Sequence, residues 1–144
     1  MKNLKKISVV GMGLLGASVT LSIKRSLQST YVVGYSHRLE TREKARQNGV
    51  ADEIAGTLEE AVRNADLVIL ATPILTFEDY FVNMAACLKA GSIITDVGST
   101  KVLPHQWAAR HLPKGVHYVG SHPIAGSEKR GVEYARDDLL TGAV

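Results

Sequence analysis

"VVGMGLLGAS", Val9 to Ser18, is the stretch on which the fold turns. Gly11, Gly13 and Gly16 stand in a G-x-G-x-x-G pattern. The apolar run Ile7–Val10 precedes them, and Leu14–Leu27 follows with helical spacing, placing Leu14, Ala17, Ser18 and Leu21 on one face. In a strand–turn–helix setting each glycine has its own task. Gly11 permits a tight turn, Gly13 lets the backbone approach a pyrophosphate, and Gly16 lets the helix lie close on the strand. N–H groups left free at the helix start then face the phosphates. Met12, Leu14 and Leu15 complete this candidate cofactor-binding segment. A glycine-rich turn without a ligand is the competing reading, and the strand–helix context weighs against it.

Working outward, short apolar runs alternate with helix-like stretches. Strands are expected at Tyr31–Tyr35, Leu67–Ala71, Ser92–Asp96 and Val116–Gly120. Helices are expected at Glu40–Asn48, from the capping-box pattern at Thr57 to about Asn64, at Phe77–Leu88 and at Thr100–His111. Pro104 is tolerated in the first turn of the last of these. Val/Ile/Leu-rich runs without alternation predict strands buried on both faces. Strand–helix alternation predicts an α/β fold, a Rossmann-type doubly wound and mostly parallel sheet flanked by helices.

The totals exclude other classes. The chain has 144 residues, enough for one domain, expected to span 1–144. A net charge of +3, scattered along the chain, gives no nucleic-acid footprint. No apolar run reaches membrane-spanning length, and "MKNLKK" is not followed by a signal-peptide core. The single cysteine, Cys87, excludes an internal disulfide, and no metal-ligand spacing is visible. A cytoplasmic protein is expected. The sequence stops at "LLTGAV", where another apolar run begins, so a domain truncated near its C-terminal end is expected.

The strand ends carry the remaining candidates. Where an acidic residue often receives a ribose, about twenty residues past the glycines, this chain has Ser36, followed by His37 and Arg38. A hydroxyl and a guanidinium suit a 2′-phosphate, which favours NADP while leaving NAD open; Arg38 as a solvated charge is the alternative. Thr72 and Pro73 end the strand Leu67–Ala71 and either line the cofactor cleft or simply stop the strand. "TDVGSTK" brings Asp96, Ser99, Thr100 and Lys101 toward the same cleft. Asp96 could equally orient the turn, Ser99 cap a helix, and Lys101 be solvated. "GSHPIAGSEK" follows the last strand and presents His122 with Gly126, Ser127 and Glu128. Gly120 and Gly126 are read as giving the backbone room and Pro123 as stiffening the turn. Of five histidines, His122 alone shares a polar set with Ser99, and imidazole is the natural proton acceptor near neutral pH.

"GMGLLGAS", "DVGSTK" and "GSHPIAGSEKRGVEYA" together resemble, in order and over essentially the whole chain, the nucleotide-binding domain of prephenate dehydrogenases and the related arogenate dehydrogenases. The third motif is specific; the first is shared by many dehydrogenases. The resemblance implies oxidative decarboxylation of prephenate to 4-hydroxyphenylpyruvate, with hydride transfer to NAD or NADP, in tyrosine biosynthesis. It implies that His122 accepts the C4 hydroxyl proton, that Ser99 supports His122 and the substrate, and that Glu128 lies near the substrate mouth. Many relatives carry Asp where this chain has Ser36. The resemblance further implies a C-terminal helical domain beyond these residues, which forms a homodimer and supplies an arginine for the substrate carboxylate. Arg130 is read as a surface charge rather than that arginine. The isolated chain is therefore expected to bind dinucleotide and to turn over substrate poorly. Three further readings stay open: arogenate as substrate, a β-hydroxyacid dehydrogenase or imine reductase on the same fold, and a non-catalytic dinucleotide-sensing module. Other dehydrogenases on the fold do not explain "HPIAGSEK", and a sensing module has no need of a general base such as His122 with Ser99.

Overall fold

Among residues 4–143, six parallel strands order themselves β3-β2-β1-β4-β5-β6. They are Lys6–Val10 (β1), Tyr31–Tyr35 (β2), Glu53–Ile54 (β3), Leu67–Leu70 (β4), Ile93–Asp96 (β5) and His117–Val119 (β6). The helices between them are Leu14–Ser26 (α1), Leu39–Gln47 (α2), Leu58–Val62 (α3), Phe77–Met84 (α4) and Val102–His111 (α5). A computed structural model describes residues 4–143 of the chain. The strand order reverses direction between β1 and β4, which opens a crevice at their carboxyl ends.

Both faces of the sheet are covered, so β1 is buried from Ile7 to Val10 without alternation. Val10, Val68, Leu70 and Ile94 pack with Leu58, Phe77, Phe81 and Met84 on the α3–α5 side. Ile7, Val9, Val32 and Ile69 pack with Met12, Ala17 and Ala45 on the α1–α2 side. Ser8 is the polar exception within β1; it is fully buried and its hydroxyl donates to the Ala61 carbonyl. β6 departs from the expectation of burial on both faces. Tyr118 packs into the α3–α5 side, while the alternating His117 and Val119 are exposed, Val119 to 56%. As the last strand in the order it has a neighbour on one side only.

The expected elements recur with shifted ends. The capping box at Thr57 is formed, with Thr57 Oγ1 and the Glu60 carboxylate exchanging bonds with each other's backbone N–H. The helix predicted over Phe77–Leu88 holds to Met84, tightens into a 3₁₀ turn at Ala85–Cys87, and is preceded by another at Ile74–Thr76. The last helix starts at Val102, two residues later than expected, with Pro104 in its first turn. Three elements were not anticipated: the 3₁₀ turn at Ile74–Thr76, the two-residue edge strand β3 and a 3₁₀ turn at Val132–Tyr134. That turn sends Val132, 3% exposed, into the α1–α2 cluster.

Asp66 ties the amino-terminal edge of the sheet together. Its carboxylate accepts from the backbone N–H groups of Lys5 (2.8 Å) and Lys6 (3.1 Å) and from Lys89 Nζ (2.6 Å). The Lys89 bond, helped by the backbone donors, outweighs burial and holds the carboxyl at about 2 against an ordinary 3.8. A lowered native value means the contribution is present above the unfolded value and is lost as pH falls through 3.8 toward 2. Lys89 is 39% exposed, so solvent screens part of it. Asp66→Asn is expected to cost about 1–2 kcal/mol at neutral pH. Urea melts of parent and variant should converge as pH approaches 2; a difference unchanged there would remove the carboxylate charge as its source.

Candidate functional site

One register row across the sheet sets the site. Tyr35, Val10, Leu70 and Asp96 stand side by side on β2, β1, β4 and β5, and Thr95 faces Val119 on β6. The loops that carry Ser36, Gly11, Thr72, Ser99 and His122 therefore all leave the sheet from its carboxyl edge.

The glycine loop has the stereochemistry that its spacing predicts. Gly11 adopts φ +103°, and a Cβ there would lie 2.5 Å from the Ala71 carbonyl oxygen. A Cβ on Gly16 would lie 1.8 Å from the Gly11 carbonyl oxygen, so α1 can approach only without one. Gly13 differs from both: nothing lies within 4 Å of its Cβ position. Gly13 is the N-cap of α1 with no side-chain cap, and the first turn holds no acidic residue. Open space before uncapped N–H groups fits a pyrophosphate. Met12 contributes only backbone there, because its side chain is fully buried and its sulfur lies 2.7 Å from the Cβ position of Gly34. Leu14 and Leu15 are half-buried.

Beyond β2, Ser36 is buried at 6% exposure, whereas His37 and Arg38 are exposed. Arg42 braces this turn. Its Nη1 donates to the carbonyls of Ser36 (2.7 Å) and His37 (3.3 Å), and its guanidinium lies 5.8 Å from the Tyr35 ring centroid. His37 and Tyr35 open onto a cavity of about 540 Å³ that Glu59, Asp79 and Tyr80 also line. Thr72 is half-buried and its hydroxyl accepts from Thr76 (2.9 Å); Pro73 is exposed.

At the β5–β6 side the hub is Asp96, which is fully buried. Its Oδ2 accepts from the Gly98 N–H (2.8 Å) and from Lys101 Nζ. Its Oδ1 accepts from the Tyr118 hydroxyl (2.7 Å) and the Ser121 N–H (3.2 Å). The Ser121 hydroxyl donates to the Asp96 carbonyl. Burial, then the bond to Asp96, pushes the Tyr118 phenol up, so it stays a donor. Asp96 thus orients the turn, and Lys101 is its ion-pair partner rather than a solvated charge. Lys101, not Ser99, occupies the N-cap position of α5.

His122 is exposed and lines an apolar cavity of about 440 Å³ with Val19, Ile69, Thr95 and Val97. Neither it nor the exposed Ser99 makes a side-chain hydrogen bond among the described residues, so no direct bond joins them. Gly126, Ser127 and Glu128 are exposed, as is Arg130. Gly120 is tightly placed rather than roomy: a Cβ there would meet Lys101 Cδ at 2.7 Å, while Gly126 stands in open space. Past this loop the chain returns over α1. The Arg136 N–H donates to buried Ser18 (3.0 Å), and Ser127 and Lys129 share a cavity of about 270 Å³ with Leu14 at the start of α1. Sequence reasoning missed Tyr118, Ser121 and Arg42. The Asp–aromatic–Ser relation crosses two strands and leaves no local spacing to read.

A parallel sheet of this order, with a glycine loop at its point of reversal and an uncapped helix start behind it, defines a dinucleotide-binding domain. Residues 19–144 match the family model described as "Prephenate dehydrogenase, nucleotide-binding domain", and the chain belongs to that family. It is 36% identical to the prephenate dehydrogenase of Bacillus subtilis over 95% of its own length and 37% of the relative's. It superposes with a TM-score of 0.86 and 33% identity on the prephenate dehydrogenase of A. aeolicus in complex with hydroxyphenyl propionate and NAD+, covering 97% of this chain and 49% of that one. For the arogenate dehydrogenase of Synechocystis the TM-score is 0.85 and the identity 31%, over 96% and 48% of the two chains. The chain therefore spans half or less of the length of these relatives. No helix among the described residues is long and apolar enough to cross a membrane.

Proposed function

We propose that this chain is the dinucleotide-binding part of a dehydrogenase that oxidatively decarboxylates prephenate to 4-hydroxyphenylpyruvate. The observation that carries this reading is the "HPIAG" loop at the same sheet edge as the glycine loop, with Asp96 bonded to the residue before His122. The Gly11–Gly16 turn and the start of α1 seat the pyrophosphate. A bound nicotinamide supplies the hydride acceptor. His122, exposed over its cavity, accepts the proton of the C4 hydroxyl as that oxygen gains alkoxide character. With substrate bound, Ser99 donates or accepts at the same hydroxyl and supports His122 through it. Gly126, Ser127 and Glu128 border the substrate, with Glu128 at the mouth. The full-length protein is proposed to be a cytoplasmic homodimer, with the second wall of the pocket outside this chain.

NADP is the proposed preferred cofactor. Arg38 is exposed and makes no side-chain hydrogen bond among the described residues, which leaves its guanidinium available to a 2′-phosphate. Ser36, buried beside it, contributes less than its hydroxyl promised. NADPH is expected to bind more tightly than NADH, and Arg38→Ala to erase the difference by about tenfold or more. Equal titrated affinities in the parent would overturn the preference.

The experiment that tests the whole reading incubates the full-length protein with prephenate or arogenate and each oxidised cofactor, following reduced-nicotinamide absorbance. Turnover of prephenate supports it. Turnover of arogenate alone would move the substrate while keeping the site, and dinucleotide binding without turnover of either would favour a sensing module.

A further inference from the structure

We propose that Asp96 is a positioning residue that holds the Ser99 loop and the His122 loop in one arrangement. The inference rests on the reading of His122 and Ser99 given above. Neither side chain is held by a hydrogen bond of its own among the described residues, so backbone placement must locate both. Asp96 supplies that placement from one buried point. Its Oδ2 receives the N–H of Gly98, the residue before Ser99, at 2.8 Å. Its Oδ1 receives the N–H of Ser121, the residue before His122, at 3.2 Å. Each oxygen also takes a side-chain donor, Lys101 on Oδ2 and Tyr118 on Oδ1.

Four donors converge on one carboxylate, which matches its acceptor capacity and leaves nothing spare. An amide cannot replace it. Asparagine has a single acceptor atom, so its NH₂ group must face either the Gly98 N–H or the Ser121 N–H. One of the two N–H groups then loses its acceptor and the loop it belongs to shifts, even though the Ser121 hydroxyl keeps its bond to the Asp96 carbonyl. Lys101 balances the buried charge, and Gly120 is packed against the Lys101 stem, so the clamp has no slack on that side. Displacing a base by about 1 Å from its reacting proton costs on the order of 10²-fold in rate.

The test uses the full-length protein with prephenate, and rates are expressed as kcat per titrated dinucleotide site. Asp96→Asn and the charge-balanced pair Asp96→Asn/Lys101→Met are each expected to lower kcat per site by about 10–100-fold. Dinucleotide Kd should change little in both. Tyr118→Phe, which removes one donor and keeps both backbone bonds, should fall between them and the parent. A merely structural role for Asp96 would reduce the number of sites and leave kcat per site at the parent value. That result in the double variant, with His122→Asn still impaired, overturns the inference and spares the site. A parent-like kcat in His122→Asn overturns the site reading, and this inference with it.

Discussion

Replacing His122 by asparagine in the full-length protein is expected to lower kcat for prephenate by about 10²–10⁴-fold, the range a positioned general base supplies. Dinucleotide affinity should move little, because the His122 side chain is not part of the glycine loop or the first turn of α1. Thermal stability should also be unchanged. The side chain is exposed and makes no hydrogen bond among the described residues, so nothing folded depends on it. A loss of kcat with intact binding and intact melting isolates the proton-transfer role. A near-normal kcat would remove His122 from the mechanism and leave the loop a recognition element only.

Gly16→Ala and Gly13→Ala should part company in the opposite sense. At Gly16 the added methyl would lie 1.8 Å from the Gly11 carbonyl and 3.0 Å from Ala71 Cβ, so helix and strand must separate. The expected cost is roughly 1–3 kcal/mol or more, with loss of dinucleotide binding as the loop shifts. At Gly13 the backbone sits at φ −76°, ψ −168°, which alanine adopts, and the new carbon meets nothing within 4 Å. Stability should stay within about 1 kcal/mol of the parent. Affinity should nonetheless fall, because the methyl occupies the approach of the pyrophosphate. Calorimetric melting and dinucleotide titration on the two variants measure both quantities. Parent-like affinity in Gly13→Ala would show that the ligand does not come near this loop.

All the strands but β3 were legible because each is a short apolar run closed by a turn residue, and the parallel order followed from burial on both faces. Two features escaped for physical reasons. β3 is two residues long and begins with Glu53, so neither period nor apolarity marks it. The role of Asp96 is a relation between strands: it needs the register that sets Ile94 opposite Tyr118, across a separation in sequence that no local pattern encodes. Ser36 shows the converse limit. Residue type suggested a phosphate ligand, but the twist of the chain after β2 buries it and presents His37 and Arg38 instead. Composition and spacing identify which residues gather at the edge; packing decides which of them face outward.

The return of the chain over α1 divides labour within the polypeptide. Ser121 is moored on Asp96 and Val132 in the α1–α2 cluster, so the segment between them is an arch with both feet already fixed by the core. The chain entropy of closing that arch is borne by folding rather than by ligand binding, and it grows only slowly with length. Ile124 and Gly126 to Arg130 on its span are exposed. Substitutions at these exposed positions are expected to leave the sheet beneath untouched. Under the proposed function the footings hold His122 in place, so residues around it on the span can be altered without loosening what anchors it.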